Sequence, residues 1–387
     1  MTPVRDPFTP QARIREEGGL AEVVPGFWMI ADHYLVREAF KRSDCLSNRP
    51  PHGRDSDSLV HLDGEEHREL RKLLARAFTP RAMRSTESVV AATASKLIDA
   101  LVSSVDDARD AGRGAAPVDL VEAFTRPLPT IVMSEVLGVP ASDRDRFVAW
   151  SDEAVAHAYL PEAAASAPEF EAYILGQVER ARSEPGETLL HFLIDERDGE
   201  GSLSDEQLRE AVRLLIIAGN ETTANLLGTM FHQLLADRSQ WERVLADREL
   251  VDTTVEEALR YDPPLNWVPR VAATECPFGG AQIPAGANVG LAVGAANRDP
   301  AVFENPDSFD LDRNDIRNRH LAFGYGEHYC LGAVLARVEG ATALRTALDR
   351  LPGLRLAPGH EFTPKGPIMM RGVSELTVTI DQAGAQA

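Results

Sequence analysis

The amino-acid sequence predicts a mainly α-helical chain with small β-sheets at its periphery. Helix is favoured by two capping boxes that precede apolar runs, at Ser204–Gln207 and at Thr253–Glu256. The helix that begins near Ser204 is expected to reach roughly Asp237. Its apolar stretch LLIIAG predicts that the middle of this helix is buried.

Strand-like segments are short and lie mostly towards the two ends of the chain. AEVVPGFWMI (21–30) is typical of a hairpin around Pro25–Gly26. Residues 270–296 contain β-rich pieces interrupted by glycine and proline, and SELTVTI near the C-terminus alternates as a strand does. Because no internal repeat or linker is evident, we expect residues 1–387 to form a single domain.

Composition and charge exclude several classes of protein. The 387 residues are 44% hydrophobic and 26% charged, as in ordinary globular proteins, and the net charge of −20 is unfavourable for binding nucleic acid. The N-terminal segment lacks the apolar core of a signal peptide, and no uninterrupted apolar run is long enough to cross a bilayer. Cys45, Cys276 and Cys330 form neither a disulfide framework nor a zinc motif, which favours a reducing interior. The sequence therefore predicts a cytoplasmic protein with no nucleic-acid or membrane partner.

One cysteine lies in an unusual context, the segment FGYGEHYCLG. Its three glycines allow the backbone to approach a bulky group closely, and Cys330 precedes an expected helix, whose N-terminus favours a negatively charged sulfur. The spacing from Phe323 and Gly324 through His328 to Cys330 resembles the haem-ligating loop of cytochromes P450 of the soluble bacterial type. The resemblance implies the P450 fold, an iron protoporphyrin IX (haem b) cofactor and Cys330 as the axial ligand of the iron. The alternative is a buried free cysteine, the commoner role of a lone cysteine.

A second pattern lies in the long helix, in the sequence AGNETT (218–223). A glycine inside a helix costs about 1 kcal/mol relative to alanine, so Gly219 needs a compensating role. By resemblance to P450s, the missing side chain leaves room for dioxygen. The same resemblance makes Thr222 the residue that holds dioxygen and ordered water, and Glu221 the residue that passes protons inward. Asn220 stands where the family often has histidine. The alternative is a tolerated glycine with threonines bonded back to helix carbonyls.

Glu257 and Arg260 form an ExxR pair just before Pro263–Pro264, which is expected to end the helix. Residues three apart share one face of a helix and can pair, but an exposed pair would contribute well under about 1 kcal/mol. The P450 resemblance instead implies a structural lock behind the haem. Arg313, from the later segment NRDPAVFENPDSFDLDR, would complete this lock.

Basic side chains are expected to hold the carboxylates of the cofactor. His67 and Arg71 lie four residues apart, on one face of a predicted helix. By resemblance they bind a haem propionate, together with Arg270 and His328, through charge-assisted hydrogen bonds.

The same helix carries a second basic stripe, formed by Arg68, Lys72 and Arg76. In so acidic a protein, this stripe is a candidate docking site for an acidic electron carrier. An ordinary solvated helix face is the alternative. Charge reversal at Lys72 and Arg76 is expected to weaken reduction by a ferredoxin if the docking interpretation holds.

The resemblance also locates a substrate cavity on the haem face opposite Cys330. Its wall is expected to be mostly apolar with a few polar groups, as in most small-molecule sites. Three segments are expected to supply the wall: Leu214, Ile217 and Ala218; Asn266, Trp267 and Val268; and Met369 and Met370. For the two methionines, ordinary core packing is the alternative.

The entrance to this cavity is expected to be open or mobile. The loop NRPPHGRDSDSLVHLDG is short and polar, whereas many relatives carry an extra helix there. The segment AYLPEAAASAPEF is the candidate gate.

Together these motifs imply a haem-thiolate monooxygenase that hydroxylates or epoxidises a small organic substrate with O2. The two electrons are expected from separate partners, a ferredoxin or similar protein with its reductase. A haem-binding carrier or sensor without oxygenase activity is the alternative, but it would not need the pair formed by Glu221 and Thr222. A peroxide-using P450 usually lacks that pair.

Overall fold

The computed structural model describes residues 6–49, 58–78, 83, 86–110, 117–159, 168–195, 203–365 and 369–380. Within these ranges the chain is mainly α-helical with small sheets, which confirms the predicted fold class. The helices are α1 (Phe8–Glu16), α2 (His33–Ala39), α3 (Gly64–Ala75), α4 (Thr86–Asp110), α5 (Pro127–Leu137), α6 (Arg144–Tyr159), α7 (Pro168–Ser183), α8 (Leu189–Asp195), α9 (Asp205–Ala236), α10 (Arg238–Ala246), α11 (Leu250–Tyr261), α12 (Val293–Ala296) and α13 (Ala333–Arg350).

The strands form three small sheets in the described part of the chain. They are β1 (Leu20–Val24), β2 (Phe27–Ile30), β3 (Leu46–Ser47), β4 (Val118–Asp119), β5 (Val268–Ala272), β6 (Cys276–Phe278), β7 (Ala281–Ile283), β8 (Asn288–Leu291), β9 (Leu354–Leu356) and β10 (Thr377–Ile380). The largest sheet has the order β1-β2-β8-β5-β3, and the others are β4-β10-β9 and β6-β7. The predicted hairpin is confirmed, because β1 and β2 are antiparallel neighbours. The pairing of β2 with β8 is parallel and joins the N-terminal hairpin to residues 288–291.

The long helix α9 begins where its capping box predicts. The Ser204 hydroxyl accepts from the N–H of Gln207 at 3.1 Å, and the Gln207 side chain accepts from the N–H of Ser204 at 2.9 Å. The second predicted capping box is wrong. Helix α11 begins at Leu250, so Thr253 and Glu256 lie inside it and the Glu256 carboxylate is free for other partners.

The main hydrophobic core lies between α4, α5, α9, α11 and α13. Its fully buried side chains include Phe124, Phe231 and Trp241. By length and composition alone, Thr86–Asp107 of α4 could cross a membrane, with mean hydropathy 1.4. Because α4 packs along α13 and α5, with Val90 and Ile98 buried, its apolar face is covered as in a core helix.

Cys45 and Cys276 are joined by a disulfide between chain segments 231 residues apart, with a Cα–Cα distance of 5.6 Å. The sequence-based expectation that no disulfide forms is therefore wrong for this pair. The third cysteine, Cys330, is free. Most of the two expected entrance segments, residues 50–57 and 160–167, lies outside the described residues.

Candidate active site

A cavity of about 560 Å³ lies between α9, the cysteine loop and the β5–β8 part of the large sheet. Helix α9 forms one wall with residues spaced three and four apart, among them Leu214, Ala218 and Thr222. Cys330, Leu331 and Gly332 lie on the opposite side. The lining is mostly apolar, which suits an organic ligand.

The cysteine loop is shaped by backbone conformations that require glycine. Gly324 has φ 71° and Gly326 has φ 75°, in the left-handed region that other residues avoid. The Cys330 N–H donates to the Phe323 carbonyl at 2.8 Å, which folds the loop back on itself. The loop thereby turns Cys330, Phe323 and Gly324 towards the cavity.

The Cys330 residue is exposed towards the cavity, and cationic side chains lie near its sulfur. Burial raises the pKa of this thiol, whereas the backbone N–H of Gly332 and the charges of Arg71 and Arg337 act in the opposite direction. A donor and two cations beside a sulfur favour its anionic form. Burial has the larger effect, so the pKa of the thiol is raised overall, and a metal bound at the cavity side would have to displace the thiol proton.

Four basic or imidazole side chains border the same cavity: His67, Arg71, Arg270 and His328. Arg270 is 4% exposed, and its one hydrogen bond among the described residues is donated to the Pro269 carbonyl at 2.7 Å. Burial lowers the pKa of Arg270 to about 10, opposed by the more distant Asp63. A buried guanidinium without a paired carboxylate is costly unless an anion joins it.

The buried His67 side chain also has unsatisfied polar atoms among the described residues. Neither of its ring nitrogens has a hydrogen-bond partner in the described part of the chain, although its side chain is fully buried. Its ring stacks on that of His328, with centroids 3.9 Å apart. Burial, helped by His328 and Arg71, lowers the pKa of His67 to about 4.

Asp63 and Asn48 orient His328, and the sequence analysis did not identify either residue. Asp63 Oδ1 lies 3.5 Å from His328 Nε2, and the Asn48 amide lies 3.0 Å from the same nitrogen. Burial would raise the pKa of Asp63, but hydrogen bonds from His328, Ser47 and Asn48 hold it well below its usual range. Polar residues shortly before the HxxxR helix are the signal that could have found them.

The donor set fits an iron porphyrin. A cysteine sulfur on one side of an apolar cavity, with the guanidinium groups of Arg71 and Arg270 and two imidazoles at its edge, matches a flat metal complex with two carboxylates. Glycines in the loop leave its backbone free to approach the ring.

Within α9, the pair of Glu221 and Thr222 is divided between two environments. Thr222 lines the cavity and its hydroxyl donates to the Ala218 carbonyl at 2.6 Å. Glu221 is not part of the cavity lining; its carboxylate lies 2.9 Å from Lys365 Nζ. Gly219, three residues before Thr222, also lines the cavity and lies beside Met133.

The structure brings Glu257, Arg260 and Arg313 together. Glu257 and Arg260 are fully buried and share two hydrogen bonds of 2.7 Å, and Arg313 Nε lies 3.2 Å from Glu257 Oε1. Arg260 also donates to the carbonyls of Asn297, Pro306 and Ser308. This network ties α11 to the segment that precedes the cysteine loop.

Half of the expected substrate-pocket residues lie on the cavity wall. Leu214, Ala218, Trp267 and Val268 line it. The other four expected residues do not: Ile217, Asn266, Met369 and Met370.

The four exceptions have physical reasons. Ile217 is on a different face of α9 and packs on the cluster that includes α7 and α8. The C-terminal segment pairs by its backbone with residues 264–266, since the Asn266 N–H donates to the Met369 carbonyl and Met370 bridges Leu265. This pairing buries Asn266 and leaves Met370 only 3% exposed.

Further wall residues were not predicted from the sequence. They are mostly apolar side chains from β2, from the end of α2, from the segments before and after α3 and from α5, together with one histidine: Phe27, Phe40, Leu59, Val60, His61, Phe78 and Met133. No local motif marks them, because their position depends on how distant segments pack.

Known proteins resemble this chain along most of its length. The family model for cytochrome P450 matches residues 171–352. A vitamin D(3) 25-hydroxylase from Pseudonocardia autotrophica is 34% identical, over 92% of this chain and 89% of that protein. A mycinamicin IV hydroxylase/epoxidase from Micromonospora griseorubida is 36% identical, over 91% and 89% of the two chains.

A solved structure shows the same fold. The crystal structure of CYP109E1 from Bacillus megaterium in complex with testosterone superimposes with a TM-score of 0.86 and 31% identity. The superposition covers 97% of this chain and 99% of that one.

Proposed function

The chain belongs to the cytochrome P450 family and is a haem-dependent monooxygenase, and from this premise we propose that Cys330 is the axial thiolate ligand of an iron protoporphyrin IX bound in the cavity. One observation carries the proposal: the accessible sulfur of Cys330 and the buried guanidinium of Arg270, which forms no ion pair with an acid among the described residues, border one apolar cavity. Phe323 and Gly324 supply the loop that faces the ring. His67, Arg71, Arg270 and His328 bind the two propionates.

The haem, when bound, supplies the activation of dioxygen and the oxidation of carbon, and thiolate ligation increases electron donation to the iron. The reaction consumes the substrate, O2, two electrons and two protons, and yields a hydroxylated or epoxidised product with one water. The protein must therefore deliver protons to the α9 side of the cavity. Thr222 holds dioxygen and water at this wall, and Glu221 is the proton donor.

The lock of Glu257, Arg260 and Arg313 holds the polypeptide behind the cysteine loop. Its support is the complete burial of the first two residues and the six hydrogen bonds described above. The single-domain organisation of residues 1–387 and a cytoplasmic location belong to the same proposal.

The proposed substrate is a bulky, mostly apolar organic molecule. The apolar wall of Leu214, Ala218, Trp267 and Val268 supports this class. So do the names of the relatives, which act on vitamin D(3) and mycinamicin IV, and the testosterone bound to CYP109E1. Titration of the haem-loaded protein with steroids and macrolides should shift the Soret band, whereas hydrophilic sugars of similar size should not.

The proposed electron donor is a ferredoxin that docks on the exposed basic face of α3. Lys72 is exposed and Arg68 lies 3.6 Å from Glu327 at the edge of the cysteine loop; the Arg76 side chain lies outside the described residues. Lys72→Glu should slow reduction by a ferredoxin about tenfold at low ionic strength. Lys96→Glu, the same charge change at an exposed position of α4, should leave the rate unchanged, and equal rates for both variants would contradict this docking site.

The decisive test of the thiolate assignment is the absorption spectrum of the reduced, carbon monoxide-bound protein. Wild type should show a strongly red-shifted Soret band, and Cys330→Ser should lack it. Haem b is identified by extraction of the unmodified porphyrin. Absence of haem, or an unshifted band in freshly prepared wild type, would contradict the proposal.

A further inference from the structure

A second carboxylate on α11, next to the lock, makes contacts that the lock does not explain. Glu256 is 6% exposed. Its Oε2 lies 2.8 Å from His320 Nε2, and its two oxygens accept from Arg337 Nε at 2.6 Å and from the second Arg337 nitrogen at 3.1 Å. Arg317 Nε is 3.8 Å from Oε1.

These partners flank the cysteine loop on both sides. His320 and Arg317 come just before the loop, and Arg337 lies in α13 just after it. Glu256 is therefore a single anion that contacts both ends of the segment that presents Cys330. Burial would raise the pKa of Glu256, but the His320 and Arg337 hydrogen bonds lower it to about 2, so the carboxylate stays charged at neutral pH.

The contact with His320 fixes the backbone at the start of the loop. His320 Nδ1 accepts from the Ala322 N–H at 3.2 Å, so its other nitrogen carries the proton and donates to Glu256. His320 is almost completely buried and burial lowers its pKa, which keeps the ring neutral in this tautomer. The orientation of Ala322 is thus set by a chain of two hydrogen bonds that ends on Glu256.

The contact with Arg337 reaches the cysteine itself. The Arg337 guanidinium lies over the Phe323 ring, 4.5 Å from its centroid, and donates to the Tyr329 hydroxyl at 3.3 Å. The Phe323 carbonyl accepts from the Cys330 N–H, and Tyr329 directly precedes Cys330. Without Glu256, the half-buried Arg337 would be drawn towards solvent and would leave Phe323.

We propose that Glu256, acting through Arg337 and His320, is a positioning residue that holds the Cys330 sulfur at the cavity. This rests on the proposed function, in which Cys330 ligates the haem iron. Removal of the buried Glu256 anion leaves Arg337 and His320 without their acceptor, so the effect of losing Glu256 passes to Phe323 and Ala322.

The test measures how easily the cysteine bond to haem is lost. Glu256→Gln preserves the shape of the side chain, but it removes the negative charge and replaces one acceptor oxygen with an NH2 group that cannot accept from Arg337 or His320. In the reduced, carbon monoxide-bound protein at a fixed, low urea concentration, the red-shifted Soret band of this variant should convert to the unshifted band about tenfold faster than in wild type. The conversion should precede the loss of helix seen by far-UV circular dichroism, which a merely structural destabilisation would not produce.

The same two helices provide a matched control. Arg345 of α13 and Asp252 of α11 form an exposed ion pair of 2.7 Å between α13 and α11, with side chains 42% and 76% exposed. In Asp252→Asn, the red-shifted Soret band should convert to the unshifted band at the wild-type rate within about twofold. The Soret band of Arg337→Gln should convert about as fast as that of Glu256→Gln. In the double variant Glu256→Gln/Arg337→Gln the conversion should be no faster than in the faster single variant, because the two residues act as one unit.

The outcomes separate this inference from the proposed function. If wild type shows the red-shifted band but Glu256→Gln behaves like Asp252→Asn, the inference is wrong and the thiolate assignment stands. If the fold-increases in conversion rate of the two single variants multiply in the double variant, Glu256 does not act through Arg337 and the inference is also wrong. If wild type lacks the band, the thiolate assignment fails and the inference fails with it. If Glu256→Gln does not fold, Arg337→Gln decides, since it leaves the bond from His320 to Glu256 in place.

Discussion

Lys365 Nζ lies 2.9 Å from Glu221 Oε1, so a cation from the C-terminal segment holds the acid of the α9 pair. Thr222, the next residue, faces the cavity, while Glu221 faces away from it. The Glu221 and Lys365 side chains are 17% and 33% exposed, so this pair connects the interior of α9 with solvent. Adjacent residues on a helix point about 100° apart, and here that angle separates Glu221, the proposed proton donor, from Thr222 on the cavity wall.

Replacement of the α9 pair should separate proton delivery from substrate binding. Glu221→Gln should lower the turnover number by about 10²-fold, as expected for the loss of a positioned proton donor. Substrate affinity should change little, because Glu221 does not line the cavity. Stopped-flow turnover and a substrate titration of the same protein check the two halves of this prediction, and a parallel loss of affinity would contradict it.

Lys365→Met should have a much smaller effect than Glu221→Gln. The ion pair is partly exposed and is worth roughly 0.2–1 kcal/mol, so turnover should change by less than about fivefold. Lys365→Arg, which keeps the charge, is the control and should resemble wild type. A loss as large as that of Glu221→Gln would mean that Lys365 itself takes part in proton delivery.

The lock should behave as a buried network whose parts cannot be removed singly. Glu257→Gln should lower the free energy of unfolding by about 3–5 kcal/mol, because it leaves the fully buried Arg260 guanidinium without its anion. Disruption of the exposed pair of Arg248 and Asp349 by Arg248→Gln should cost less than about 1 kcal/mol. Urea denaturation of the haem-loaded proteins measures the unfolding free energies. Equal losses of unfolding free energy in Glu257→Gln and Arg248→Gln would show that burial does not determine how much each pair contributes to stability.

The sequence predicted those features that depend on local hydrogen bonds or on fixed spacing. The capping box at Ser204 specifies the start of α9 because both of its bonds lie within four residues. Glu257 and Arg260 meet because residues three apart share a helix face. Thr253–Glu256 satisfies the same capping pattern but lies inside α11, so a local pattern alone did not distinguish a cap from a buried anion.

Features that depend on distant packing were not predictable in this way. Cys45 and Cys276 are 231 residues apart, and no spacing rule connects them. Ile217 was assigned to the cavity with Leu214 and Ala218, but a helix rotates by 100° per residue and the cavity covers only part of α9. The position of Met370 depends on a backbone bridge to Leu265, more than a hundred residues earlier.

Arg270 should contribute to haem retention rather than to folding of the haem-free chain. Arg270→Ala removes a buried cation that has no acidic partner in the described residues, so the haem-free protein should be no less stable or slightly more stable. Haem should dissociate faster by roughly tenfold or more, because a charge-assisted bond to a propionate is lost. Transfer of haem to apomyoglobin measures this rate. The haem dissociation rate of Arg270→Lys should lie between those of wild type and Arg270→Ala. Haem that dissociates no faster from Arg270→Ala than from wild type would contradict the proposed role of Arg270 in propionate binding.

His232 should make the stability of the protein depend on pH between about 4 and 6.5. Burial, helped by His360, lowers the pKa of His232 to about 4, whereas an unfolded histidine titrates near 6.5. Between these values the unfolded chain binds a proton that the folded chain does not, so stability falls as the pH drops, by up to about 1.4 kcal/mol per pH unit. His232→Phe keeps the ring contact with Phe362 and removes the titration. Urea unfolding at pH 7, 6 and 5 should show that the unfolding free energy of His232→Phe increasingly exceeds that of wild type as the pH falls. If the difference between the two proteins were the same at all three pH values, His232 would not be the cause of the pH dependence.

Gly219→Ala should separate the stability of α9 from the size of the cavity. An added Cβ would lie 2.9 Å from Met133 Cε, the end of a flexible side chain that can move. Because alanine is favoured over glycine in a helix by about 1 kcal/mol, the unfolding free energy should be unchanged or higher. The same methyl group narrows the cavity beside Thr222, so a bulky substrate should bind more weakly and dioxygen reduction should yield more peroxide per electron pair. Gly176→Ala, in α7 and with no atom within 4 Å of the new Cβ, is the control for the helix effect alone. If Gly219→Ala turned over a bulky substrate as wild type does, the glycine would have no role in the cavity, and its cost to the helix would have no compensating function.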